Sequence, residues 1–102
     1  MKSSEYEELQ SIKDKNFTIR EIDIIACLIH NRGEKKIADL LSISPRTVSA
    51  HVRNIMQKLT CNSREGIIDF VEKSGKLNLL KNLKKFLFLT FNIRPIHQNY
   101  GQ

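Results

Sequence analysis

The sequence predicts a small all-α domain, and three observations carry that expectation. Apolar residues recur at helical spacing in successive stretches between Phe17 and Lys73. Helix-start and helix-stop residues punctuate those stretches. At 102 residues the chain has room for one modest core, so a partner subunit matters for stability. The expected layout is an N-terminal arm over 1–16, a four-helix domain over 17–75 and a C-terminal helical extension over 76–102. The extension is read as a dimerisation helix followed by a tail.

Residues 1–16 read as a weak helix or a frayed arm, with Tyr6, Leu9 and Ile12 forming a thin apolar edge. Phe17 starts the domain. Thr18 and Glu21 stand as T-x-x-E, a capping box, and Phe17 can staple onto Ile22 across the cap. The helix that follows runs to about His30. Ile22, Ile25, Ala26 and Ile29 share one face, with Ile24 and Leu28 beside them, so this helix is expected to be buried on more than one side. Asn31-Arg32-Gly33 ends it, because Asn and Gly tolerate a left-handed position. A short second helix over 34–41 turns Ile37, Ala38 and Leu41 inward. Ser42-Ile43-Ser44 is a tight turn.

The third helix, over 44–60, is the centre of the chain. Ser44 can cap it, and Pro45 sits in the first turn, where no backbone donor is missed. Val48, Val52, Ile55 and Leu59 make an apolar seam, expected to bury against Ile25, Ile29, Ile37 and Leu41. Arg46, Ser49, Ala50, Arg53 and Gln57 make a second stripe of small, polar or cationic side chains. Thr47, His51, Asn54 and Lys58 make a third, all able to donate hydrogen bonds. No carboxylate lies between Leu40 and Arg64. Two helices joined by about three residues, the second cationic and groove-sized, constitute a helix-turn-helix suited to the major groove of DNA. Asn62 or Ser63 then caps a fourth helix carrying Ile67, Ile68 and Val71, and Gly75 stops it. In 77–91, Leu79, Leu80, Leu83, Phe86 and Leu87 lie on one helical face and Lys81, Lys84 and Lys85 on the other. Phe88 and Leu89 break that pattern and leave 86–91 open to a strand. Residues 92–102, with Pro95, read as a tail.

The formal net charge is +6, which favours a polyanionic partner, nucleic acid before membrane. The charge is uneven: all 11 Asp and Glu lie at or before Glu72. Cys27 and Cys61 stand in no metal-ligand spacing, so neither a metal nor another cofactor is expected. His30, His51 and His97 form no catalytic constellation, and no Gly-rich phosphate loop exists, so the chain is not read as an enzyme. The polar opening is not expected to be a signal peptide, and no apolar run reaches membrane-spanning length. The expected compartment is the cytoplasm, with no membrane partner.

Thr18, Arg20, Glu21, Ile37-Ala38, Ile43-Ser44, Thr47-Val48, His51, Asn54-Ile55, Lys58-Leu59 and Arg64 resemble the pattern of the LuxR/FixJ-type, GerE-like DNA-binding domain. The resemblance covers about 17–74. It implies a four-helix domain of a bacterial transcriptional regulator, with the third helix in the major groove and the fourth at a two-fold contact. Asn31 and Thr60 stand where the family usually has Gly, and Lys36 where it usually has Glu. No receiver or ligand-binding domain is expected ahead of the motif, so the usual input has no expected site.

The resemblance and the stripes together assign the interface. Ser49, Ala50 and Arg53 are expected at base edges, Arg53 facing guanine O6/N7. Lys35, Ser44, Arg46, Thr47, His51, Asn54 and Lys58 are expected toward phosphates. Ile68, Val71, Leu80, Leu83 and Leu87 are expected at a homodimer seam, with folding back of 77–91 onto its own domain as the alternative. The expected partners are double-stranded DNA, a second copy and RNA polymerase. The competing function is a helix-turn-helix kept as a protein-interaction module, contacting polymerase or another regulator.

Overall fold

The computed structural model describes residues 8–83. A two-stranded antiparallel hairpin, β1 (Ser11–Ile12) and β2 (Lys15–Asn16), precedes five helices. These are α1 (Ile19–Ile29), α2 (Glu34–Leu41), α3 (Pro45–Leu59), α4 (Arg64–Ser74) and α5 (Leu77–Leu83).

Helix α1 is the axle of the domain. Its N-terminus is the expected capping box: Glu21 N donates to Thr18 Oγ1 at 3.0 Å and Thr18 N donates to Glu21 Oε1 at 2.9 Å. Every residue from Glu21 to Leu28 is buried. The wide apolar surface has its cause in the packing, since α2, α3, α4 and α5 all lie against this helix. The seam of α3 is placed as its spacing predicts. Val48, Val52 and Ile55 are buried, and Leu59 is half-buried against the same core, which includes Ile25 and Ile37, with Ile29 and Leu41 at its margin.

Helices α1, α2, α3 and α4 are each followed by a residue in the left-handed region. These are Asn31 (φ 62°), Ser42 (φ 59°), Thr60 (φ 55°) and Gly75 (φ 79°). Behind Thr60, its own N–H donates to the Gln57 carbonyl at 3.3 Å and Cys61 N to the Met56 carbonyl at 3.0 Å, a Schellman closure. Ser63 caps α4, accepting from Gly66 N at 3.0 Å. Gly66 is required there: a Cβ on it would come within 2.8 Å of the Cys61 Cβ.

Two expectations are corrected. The stretch from Leu9 to Asn16 is no frayed arm. Lys13 (φ 50°) and Asp14 (φ 67°) make a tight turn with positive φ at both centres, the twist that suits a two-residue hairpin loop. Leu9 and Ile12 are buried in the common core beside Phe17, and Phe17 N donates to the Gln10 carbonyl at 2.8 Å. The second correction concerns the dimer seam. Val71 and Leu80 are fully buried inside their own domain and cannot face a second copy. Leu80 reaches that core because α5 folds back against α1, where Lys76 pairs with Glu8 at 2.5 Å and His30 Nε2 lies 3.3 Å from the Lys81 carbonyl oxygen. Leu87 lies outside the described residues, as does the strand considered for 86–91, and Ile68 stays half-exposed on α4.

Candidate nucleic-acid interface

The interface is built on α3, and α2 packs directly against it. Ser44 fixes where the helix begins. Its Oγ accepts from Thr47 N at 3.1 Å and lies 2.9 Å from Thr47 Oγ1, so the two hydroxyls of the first turn hold each other. Arg46, Thr47, Arg53, Asn54 and Gln57 are exposed, and Ser49, Ala50 and His51 are half-buried. From Arg46 to Gln57 this outward side spans about 16 Å at the rise of an α-helix. The apolar seam at 48, 52 and 55 pins the opposite side to the core. Rotation of the helix is thereby set, and the two polar stripes are turned outward together. Lys35 is exposed on the first turn of α2.

Lys58 departs from its expected role. Its Nζ donates to Glu21 Oε1 at 2.6 Å and to the Asn16 carbonyl at 2.9 Å, and it lies 5.7 Å from the centre of the Phe17 ring. Phe17 in turn meets Phe70 edge-on at 6.4 Å. The Glu21 side chain is only 5% exposed, so Lys58 neutralises a carboxylate that the capping box holds inside the domain. Its charge is engaged by the fold in this structure, although its side chain stays 36% exposed.

A second departure adds a residue. Ser49 Oγ donates to Glu34 Oε1 at 2.7 Å. Glu34 opens α2, 15 positions earlier in the chain. Periodicity within α3 carries no sign of it. The signal available in the sequence was its place one residue before Lys35, on the turn already assigned to the DNA side.

A helix-turn-helix whose second helix presents a carboxylate-free, cationic side is the architecture of a DNA-binding regulator. Residues 15–71 match the family model for bacterial regulatory proteins of the luxR family, and the chain belongs to that family of helix-turn-helix transcription regulators. The chain is 39% identical over 59 residues to the nitrate/nitrite response regulator protein NarP of Escherichia coli, covering 57% of this chain and 27% of that protein. It is 36% identical over 59 residues to the oxygen regulatory protein NreC of Staphylococcus carnosus, covering 58% of this chain and 27% of that protein. It is 34% identical over 74 residues to the spore germination protein GerE of Bacillus subtilis, covering 67% of this chain and 100% of that protein. The chain thus spans about a quarter of NarP and of NreC and the whole of GerE. No solved structure matches it. Among the described residues no helix is long and apolar enough to cross a membrane.

Proposed function

We propose that the chain binds double-stranded DNA in a sequence-dependent way, with α3 in the major groove, and regulates transcription as a homodimer in the bacterial cytoplasm. The observation that supports this most is the outward side of α3, where Arg46, Thr47, Arg53, Asn54 and Gln57 are exposed with no carboxylate on the helix. Arg53 sits mid-helix with its guanidinium free to reach guanine O6 and N7, while Ser49 and Ala50 are short enough to let the helix approach the base edges. Arg46 and Lys35, with Thr47, His51 and Asn54, flank that centre as phosphate donors. Two half-sites one helical turn apart call for two copies of α3 held together. Of the surface given by the described residues, the side of α4 around Ile68 serves that purpose best.

The test is binding to labelled duplexes across a salt series. With two cationic phosphate contacts per subunit, the log–log slope is expected at roughly −3 to −5 for a dimer. A flat salt response, or no duplex binding at low salt, removes the proposal and favours a protein-interaction module.

A further inference from the structure

Helix α3 contributes no carboxylate to its outward side, yet the fold delivers one from α2. Glu34 is the first residue of α2, where a negative charge is favoured by the helix dipole. Its side chain is exposed and accepts the Ser49 hydroxyl proton at 2.7 Å. A hydroxyl has one proton to donate and two lone pairs to accept with, whereas a carboxylate only accepts. The proton of Ser49 is therefore committed to Glu34. What Ser49 offers to anything approaching α3 is lone pairs.

In the major groove this commitment selects among bases. Adenine presents its N6 amino group and cytosine its N4 amino group as donors, while guanine and thymine present acceptors. Resting on the proposal that α3 enters the major groove, we infer that Glu34 is a specificity-determining residue. It holds Ser49 as a hydrogen-bond acceptor, so that the pair selects adenine or cytosine at one position of each half-site. Guanine O6 or thymine O4 at that position would meet lone pairs, with a carboxylate behind them. Without Glu34 the hydroxyl turns freely, donating to guanine or thymine or accepting from adenine or cytosine, and the position loses its preference.

The experiment uses the full chain and a pool of duplexes with a randomised core of about 20 base pairs, two helical turns. Sequences retained by the wild type are reduced to one duplex, and every base pair of it is then varied and its affinity measured. The position whose preference disappears in Ser49→Ala is the one Ser49 faces. One base pair is expected to be favoured there about five- to tenfold, the scale of one hydrogen bond. That factor should be lost when the exocyclic amino group of its adenine or cytosine is removed by placing purine or 2-pyrimidinone there instead. In Glu34→Ala the preference at that position is expected to fall below about twofold, a small residue of one hydrogen bond. The position assigned to Arg53, a control the pair does not touch, should keep its guanine. The inference is overturned by an affinity at the Ser49 position that does not change when the amino group is removed, by a preference that survives Glu34→Ala, or by a preference that needs Glu34 but survives Ser49→Ala, which would make the carboxylate itself the base contact. A wild type that retains no duplex at low salt overturns the DNA-binding proposal, and the inference with it. That result differs from all the others because it shows before any variant is made.

Discussion

The two ends of α3 carry similar side chains and do different things. Its first turns, from Arg46 to Arg53, project donors and cations outward from a cap that Ser44 and Thr47 close between themselves. Its last turn is clamped: Lys58 is bound to Glu21 and the Asn16 carbonyl, and Thr60 is folded left-handed to close the helix. Lys58 lies on the same helical stripe as Thr47, His51 and Asn54, and periodicity cannot tell them apart. What separates them is a carboxylate 37 residues away that must be neutralised where the core begins. A cation on a groove-facing stripe is available to DNA only when no buried acid from another element claims it.

The largest effects should come from what holds the clamped side in place. Ile55 is fully buried between α3 and the rest of the core. Ile55→Ala is expected to cost about 2–5 kcal/mol in urea unfolding, the range for emptying a well-packed site. Leu80→Ala should cost a similar amount, about 2–5 kcal/mol, because Leu80 is equally buried, though it lies beyond the four helices of the motif. It should leave the molecular mass in solution unchanged, since this side chain faces its own core. A loss of dimer with little loss of stability would return Leu80 to the subunit seam.

Next come the two cations that the comparison sets apart. Lys58→Ala leaves the Glu21 carboxylate buried without its charge partner. The Lys58 side chain is 36% exposed, so the pair is open on one side and the cost is expected at about 2–3 kcal/mol rather than the full value of a buried pair. The salt slope of DNA binding should not move. Arg53→Ala should do the reverse. It leaves unfolding unchanged, costs about 1–3 kcal/mol in binding, and relaxes preference at one base pair per half-site. If instead Lys58→Ala makes the salt slope shallower by about one unit per subunit, Lys58 reaches phosphate and the two ends of α3 act alike.

Most of the motif was legible because its signals are local. The capping box at Thr18 and Glu21, the Ser44 cap, the apolar seam at 48, 52 and 55 and the left-handed stop at Asn31 each depend on residues within one or two turns of each other. The outward placement of Arg46, Thr47, Arg53 and Asn54 follows from the same seam. The features that stayed hidden all join distant parts of the chain. The hairpin over 11–16 has only two residues per strand and no Gly in its turn, so its tethering by Leu9 and Ile12 shows only once α1 is in place. Leu80 and Val71 are apolar at helical spacing, and spacing does not say whether the waiting core belongs to the same subunit or another. The pairs Lys58 with Glu21 and Ser49 with Glu34 cross between helices, where a one-dimensional pattern has no reach.

The smallest effect tests the clamp at its hinge. Thr60 has φ 55° and ψ 46°, in the left-handed region where a β-branched side chain crowds its own backbone. The Schellman closure behind it demands that geometry, because Cys61 N must reach the Met56 carbonyl. Asn31 and Ser42 occupy the same position after α1 and α2 at less cost, being unbranched at Cβ. Gly is free of this crowding, and Thr60→Gly should remove strain of about 1–3 kcal/mol. Part of the gain returns as the extra entropy of Gly in the unfolded chain, about 1 kcal/mol. The net expectation is a stabilisation of roughly 1 kcal/mol, read as a higher urea midpoint at unchanged slope. DNA affinity should stay the same, because the open end of α3 begins about two turns away and its seam is undisturbed. Should Thr60→Gly destabilise the domain, the threonine side chain contributes more to the junction than its backbone angle costs, and the clamp rests on Lys58 and Thr60 jointly.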